Sequence, residues 1–243
     1  MIAVWFSCGA ASAVAAKLTI EKHKDVRVIY NPVANEHPDN LRFLKDVEEW
    51  IGQKIELAYN PKYPSGDIND VFRARRFMSG PKGAPCTVEL KKKARQHWEK
   101  TNKADYHVLG FTVEEKRRHD RFVLTERDNV LPILIDANLN KQQCLDMIIA
   151  AGINPPAIYT LGYPNANCIG CVKASSPTYW NLVRKTHPEV FEERAKMSRE
   201  YGAKLVRVKG QRVQLEELDP NAKGRPLASM KIECGIFCEE KEL

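Results

Sequence analysis

The opening stretch IAVWFSCGAASAVAAKL, residues 2 to 18, constrains the fold more than any other part of the chain. A short apolar run with β-branched and aromatic content ends at Gly9, and an alanine-rich segment that suits a helix follows it. This predicts a strand, a tight glycine turn and a helix. The alternation continues with VRVIYNPV (26–33) as the next strand candidate. After Pro38 comes DNLRFLKDVEEWI, where Leu41, Leu44, Val47 and Ile51 recur at helical spacing. IELAY (55–59), YHVLGFT (106–112) and VLPILID (130–136) complete the strand candidates, the last carrying a proline that suggests an edge or a strand entry. Residues 60–83 read as a long loop with one short helix near 70–77, and a basic helix, CTVELKKKARQHWEK, follows Pro85. Further helices are expected over 142–151 and 177–200, the latter interrupted near Pro188. Strands alternating with helices imply crossover units, hence an α/β, Rossmann-like three-layer fold with a mostly parallel sheet.

With 243 residues, 43% hydrophobic and 28% charged, the chain is expected to form one domain over 1–243 with a cysteine-bearing tail from about 228. The N-terminus lacks the basic start of a signal peptide, and no segment approaches the roughly 18 uninterrupted apolar residues needed to cross a bilayer. A soluble, cytoplasmic protein with no membrane partner is expected. In a reducing compartment, seven cysteines point to metal binding or redox chemistry rather than to structural disulfides. Residues 73–127 carry fifteen basic and seven acidic side chains, enough to account for the whole net charge of +7. Such a segment is either a solvated face or a surface for a phosphate-rich partner, a nucleotide or a nucleic acid.

In open α/β sheets ligands bind beyond the carboxyl ends of the strands, where the first turn offers unpaired N–H groups and the positive end of a helix dipole. SCGAAS, Ser7 to Ser12, occupies that place, although it has neither the Walker A nor the dinucleotide-fingerprint spacing. WFSCGAASA resembles the pyrophosphate-binding loop, S-G-G-x-x-S, of the adenine nucleotide α-hydrolase (PP-loop) superfamily, and especially its phosphoadenosine phosphosulfate (PAPS) reductase branch. Ser7, Gly9 and Ser12 match. Cys8 replaces the first family glycine, and Ala11 stands where ATP-cleaving members carry aspartate. The resemblance implies that Ser7, Cys8, Gly9, Ala10 and Ser12 hold an adenine nucleotide or sulfonucleotide. LGFTVEEKRRHDRF (109–122) is similar to the strand-end glycine and arginine-bearing segment of that branch, which implies Gly110 in the nucleotide pocket and Arg117, Arg118 and Arg121 as anion holders. Arginine suits that task because its planar fork stays charged and binds oxyanions in pairs of hydrogen bonds. The plain alternative is a charge-laced helix face with Glu114 and Arg118 paired.

GAPCTVELKKKA and NCIGCVKA resemble the cysteine segments of the iron-sulfur adenylylsulfate (APS) reductases, with one cysteine, Cys86, where that family has two. At a helix N-terminus beside lysines, Cys86 is expected to favour thiolate. IECGIFCEE (232–240) resembles the E-C-G-[LI]-H ending of PAPS reductases, whose cysteine attacks the sulfate sulfur. The matched nucleophile is Cys234; Phe237 stands in place of the family histidine, and Cys238 is additional. The preferred assignment makes Cys86, Cys168, Cys171 and Cys238 the ligands of a 4Fe-4S cluster and leaves Cys234 as catalytic nucleophile. Exchanged roles for Cys234 and Cys238, or three protein ligands and one open iron, remain open. Read from spacing alone, C-x2-C at 168 and 171 with C-x3-C at 234 and 238 also fits structural zinc. Cys144 and Cys8 are expected to pack in the interior, and His97, His107 and His119 to be exposed or satisfied.

The reading is a PAPS/APS reductase-like enzyme with a thioredoxin-like reductant. An ATP-dependent iron-sulfur sulfurtransferase acting on tRNA or DNA, and a zinc-stabilised nucleic-acid-binding module, are the alternatives. The choice between APS and PAPS, and the oligomeric state, stay open.

Overall fold

A strand buried along its whole length, β1 (Ile2–Phe6), forms the centre of a five-stranded sheet. The structure, a computed structural model, describes residues 1–81, 83–230, 234 and 237. After β1 the chain forms α1 (Ala10–Lys22), β2 (Val26–Tyr30), α2 (Asn40–Ile51), β3 (Ile55–Leu57) and α3 (Ile68–Arg75). A π-helical stretch, Thr87–Lys92, leads into α4 (Lys93–Glu99), β4 (Tyr106–Val108), α5 (Lys116–Thr125), β5 (Val130–Leu131), α6 (Ile133–Asp136) and α7 (Lys141–Ala150). Two helices, α8 (Pro177–Thr186) and α9 (Pro188–Glu200), and an antiparallel hairpin, β6 (Val206–Val208) with β7 (Gln211–Val213), follow.

All pairings in the large sheet are parallel, in the order β3-β2-β1-β4-β5. Val4 is in register with Val28 on one side and Val108 on the other. Alternation along β1 divides the core. Ile2, Val4 and Phe6 face a layer with α1, α2, α6 and α7, whereas Ala3 and Trp5 face Trp98 and Phe237. Small residues let α1 lie close: Ala10, Ala13, Ala15 and Ala16 are buried, and Ser12 and Thr19 return their hydroxyl protons to Gly9 O and Ala15 O. A third apolar cluster joins Phe72 of α3, Leu90, Tyr179, Trp180 and Phe191.

The expected α/β architecture is present, with local differences. The strand expected over 130–136 stops at Leu131, because Pro132 has no N–H for the ladder and the next residues turn helical as α6. The basic helix opens with wide π turns. In α2 the buried stripe is Phe43, Leu44, Val47 and Ile51, while Leu41 is 64% exposed. The β6–β7 hairpin was not legible in three-residue strands; its turn, Lys209–Gly210, has positive φ at both positions, as two-residue hairpin loops favour. Among the described residues no helix is long and apolar enough to cross a membrane.

Replacing fully buried Phe43, stacked 6.2 Å from Phe6, with alanine is expected to cost about 3–5 kcal/mol in urea unfolding. Leu41→Ala should change stability by no more than about 0.5 kcal/mol.

Candidate active site

The strand order reverses between β1 and β4, so the carboxyl ends of these strands open a crevice where ligands of such sheets bind. The turn after β1 fills one wall of it. Cys8 adopts φ 54°, a left-handed conformation that glycine takes without strain, and its thiol is buried 3.7 Å from Asn40 O. Burial, with Glu36 second, pushes that thiol far up, so Cys8 offers the turn its backbone alone. Ser12 Oγ accepts from Ser7 N–H and from the Ser7 hydroxyl, both at 3.1 Å, and Gly9 forms the N-cap of α1. Gly110 completes the wall: a Cβ there would stand 2.9 Å from Ser12 N and 3.1 Å from Ala11 C.

Tyr159 covers this turn, a contact that no sequence motif announces. Its hydroxyl lies 3.3 Å from where a Gly9 Cβ would be and accepts from the Ala10 N–H. Burial raises it to about 12, so the proton stays on and can be donated. Asp39 and Arg42 at the start of α2 position the segment that carries Tyr159. Ala157 N–H donates to Asp39 at 2.7 Å, and Arg42 donates to Asn154 O and Pro155 O. The Arg42 guanidinium holds the Asp39 carboxyl down at about 2.

The cysteines expected to form one centre approach each other. Cys86, Cys168 and Cys171 are each raised, first by burial; Glu36 adds to Cys168, Cys234 to all three and Cys171 to the other two, and Cys171 reaches about 11. Cys86 therefore differs from the thiolate expected at a helix start. Its own φ of −60° places it inside the first turn, and the nearby thiols and burial outweigh Lys173, the cation that opposes them. The loop 168–171 is held firmly: Cys171 N–H donates to Tyr179 Oη at 2.8 Å, Tyr179 donates to Cys168 O, and Ile169 N–H donates to Asn35 O. Gly170, at φ 67°, passes so near Val190 and the fully buried Arg194 that a Cβ would meet Val190 Cγ1 at 2.8 Å. Cys144 packs in the sheet core, as expected.

Lys91 joins the thiols to the sheet. Its ammonium, buried on the π-helical stretch, donates to Asn31 O at 2.7 Å and Glu36 Oε1 at 3.0 Å, and Tyr30 donates to the same carboxylate. Burial pulls Lys91 down, but Glu36, Cys168 and Cys234 outweigh it and the net shift is upward. Cys234 itself lies 3.4 Å from Thr87 Oγ1. Three residues on, Phe237 is 1% exposed, edge-on to Trp5, His107 and Phe122, with the guanidinium groups of Arg95 and Arg127 at 4.6 and 4.9 Å. Cys238 lies outside the described residues. Among those described, no three His, Cys, Asp or Glu side chains form a group that could hold one metal ion.

The arginine segment is only partly tied to this site. Arg118 pairs with Glu115 at 2.6 Å, not with Glu114, and lies over Phe111. Arg117 and Arg121 are exposed and make no side-chain hydrogen bond or ion pair among the described residues. His107 and His119 are buried and hydrogen-bonded, the former accepting from the Trp5 indole.

The profile of the phosphoadenosine phosphosulfate reductase domain matches residues 1–177. The chain belongs to this family. The match spans the whole parallel sheet, the Ser7–Ser12 turn, Cys86 and the 168–171 loop, and ends as α8 begins. No curated protein matches the sequence. A crystal structure of PAPS reductase from Candida auris in a phosphate complex is similar, with a TM-score of 0.47 and 13% identity over 69% of this chain and 80% of that one. In this member of the PAPS reductase domain family, Cys234 and Phe237 lie beyond the matched region.

Two outcomes test this geometry. Phe237→Ala should cost about 3–5 kcal/mol and speed alkylation of Cys234, followed by peptide mass spectrometry, because the tail loses its anchor. Burial, then Arg127 and Arg95, lower His107 to about 4 from 6.5, so it is neutral in the folded protein. As pH falls from 6.5 towards 4 the unfolded chain takes up a proton that the folded one refuses, and stability drops. The melting temperature should fall across that window, with a shallower slope in His107→Gln.

Proposed function

We propose that the chain is a sulfonucleotide reductase-like enzyme with an adenine nucleotide at the Ser7–Ser12 turn and a cysteine thiolate as nucleophile. The observation that carries this reading is the approach of Cys234, on a tail anchored by Phe237, to Cys86, Cys168 and Cys171. The Ser7 and Ser12 hydroxyls, which here donate to Ser12 Oγ and Gly9 O, would turn to the nucleotide phosphates, Gly110 leaves room for the turn, and Tyr159, already accepting from Ala10 N–H, has its own proton to donate. The Cys234 thiolate forms a bond to the sulfonyl sulfur as the sulfur–oxygen bond to phosphate breaks, and the nucleotide leaves with the electron pair on its phosphate oxygen. A dithiol of the thioredoxin class then attacks Cys234 Sγ, sulfite leaves, and the second thiol closes a disulfide and frees Cys234.

An all-thiolate donor set fits a 4Fe-4S cluster, whose cube spreads its ligating sulfurs more widely than a single zinc ion does. Cys86, Cys168 and Cys171 would hold it, with Cys238 as fourth ligand. Lys91 sits where it offsets the negative charge of Cys168, and Lys173 that of Cys86 and Cys171. When bound, the cluster supplies a polarising charge beside the sulfur chemistry. A second assignment, with Cys234 as fourth ligand, is favoured by its closeness to the other three thiols, each of which is raised in part by it.

Iron, sulfide and zinc analysis of anaerobically purified Cys234→Ser separates these. As nucleophile, Cys234 can be replaced with iron and AMP binding retained and sulfite release from APS or PAPS lost; loss of iron assigns it as a ligand, and unchanged turnover removes it from the mechanism. A basic surface on α3 and α5, including Arg73, Arg75, Arg117 and Arg121, supports the alternative of sulfur transfer to nucleic acid. Part of the positive excess in 73–127 is, however, buried, as at Lys91, Lys92 and Arg95. ATP consumption dependent on tRNA or DNA would select that alternative.

A further inference from the structure

The loop that carries Cys168 and Cys171 is gripped at each of its four residues, and every grip comes from another part of the chain. Tyr179 of α8 holds Cys168 O and Cys171 N–H, and Asn35, after β2, takes Ile169 N–H. The remaining group, Gly170 O, accepts from Arg194 Nε of α9 at 3.3 Å. The loop also rests on the arginine's stem, since a Cβ on Gly170 would stand 3.3 Å from Arg194 Cγ. Helix α9 lies wholly beyond the matched family domain, which ends at residue 177.

Arginine is a costly residue in this place. Its side chain is fully buried, and among the described residues its one ion pair is with Glu193 at 3.2 Å, a carboxylate 42% exposed. Nη2 has no hydrogen-bond partner among the described residues. A buried cation with an idle nitrogen is dearer to the fold than an apolar chain of the same length, so stability alone does not select it. What arginine supplies is a rigid fork that reaches two ways at once. While Nε holds Gly170 O, Nη1 donates to Asn69 Oδ1 on α3, and the guanidinium lies 5.7 Å from the centre of the Phe72 ring on the same helix. Asn69 returns to α9 by donating to Glu193 Oε1 at 3.1 Å. Asn35, the residue that takes Ile169 N–H, also accepts from Ile68 N–H at 2.8 Å through its side chain. Two independent routes therefore tie the loop to the start of α3.

We propose that Arg194 is a positioning residue for the Cys168 and Cys171 thiols: by clamping Gly170 O to α3 it sets where the two sulfurs stand before any ligand or substrate arrives. A loop held in its working geometry spares the cost of ordering it later. The proposal rests on the reading of these cysteines as a functional centre, and is independent of the nucleotide and of which cysteine is the nucleophile.

Alkylation of the anaerobically purified full chain with iodoacetamide, read cysteine by cysteine by peptide mass spectrometry, tests the proposal. Cys144, fully buried in the sheet core, is the internal reference, because loosening of the whole fold exposes it too. Arg194→Met keeps the stem and removes the fork. Labelling of Cys168 and Cys171 should then rise by about tenfold or more relative to Cys144. Arg194→Lys keeps the charge but reaches only one of the two oxygens, so its rates are expected to fall between, and it carries the test should the methionine variant not fold. Arg199→Gln, an exposed change on the same helix, should match the unsubstituted chain. Unchanged labelling of Cys168 and Cys171, or a rise that Cys144 shares, would overturn the proposal. Iron content and sulfite release in Cys234→Ser decide the functional reading separately. If that reading fails while the labelling shifts as expected, Arg194 positions a thiol pair with another task; if it holds while the labelling stays level, Tyr179 and Asn35 set the loop without Arg194.

Discussion

The buried pair between Lys91 and Glu36 is the contact on which the arrangement turns. Glu36 follows β2 and accepts from Tyr30, Asn40 and Lys91. Lys91 comes from the π-helical stretch that starts beside Cys86 and feels the charge of Cys168 and Cys234. One ion pair therefore spans the distance from the sheet's carboxyl edge to the thiols. Both charges are deeply buried, and removing either partner alone leaves the other stranded, a loss on the order of 3–5 kcal/mol for pairs of this type. The pair also explains how a parallel sheet and a group of cysteines distant in sequence share one corner of the fold.

Much of the sheet was legible because its signals are local. Short apolar runs ending in turn residues mark β1 to β4, and the order of strands and helices demands crossovers. Pro132 was visible too, although its effect, an early stop and a helical turn, depends on what packs there. Leu41 and Phe43 show the weakness of spacing alone: both fit a helical stripe, and only the position of Phe6 decides which is inside. The Ser7–Ser12 turn was legible as the first strand-to-helix turn, and the cysteine segments by resemblance alone. Tyr159, Asn35 and Tyr179 were not found, because each acts through hydrogen bonds to backbone groups of another loop or turn, which no local pattern announces. The thiolate expected at Cys86 failed for a related reason. A helix start is a local feature, whereas burial beside Cys171 and Cys234 belongs to the folded chain.

One aromatic ring holds the cysteine-bearing tail in place. Phe237 stands where the resembling reductases end in histidine, and it is enclosed by Trp5, His107 and Phe122 with two guanidinium groups against its ring. Apolar burial and cation–π attraction do not titrate between pH 5 and 8. Attachment of the cysteine-bearing end is thereby insulated from acidity at the ring that anchors it, even though neighbouring His107 is not.

The π-helical stretch at Thr87–Lys92 has a consequence for comparing this chain with its relatives. Each wide turn holds more residues than an α turn, and an extra residue rotates everything after it by about 100° around the helix axis. A homologue that winds this stretch as plain α-helix must lack a residue inside the helix, and its length difference belongs there rather than in a loop. Aligning such chains without that internal gap would pair Lys91 with a position turned about 100° away from it around the helix axis.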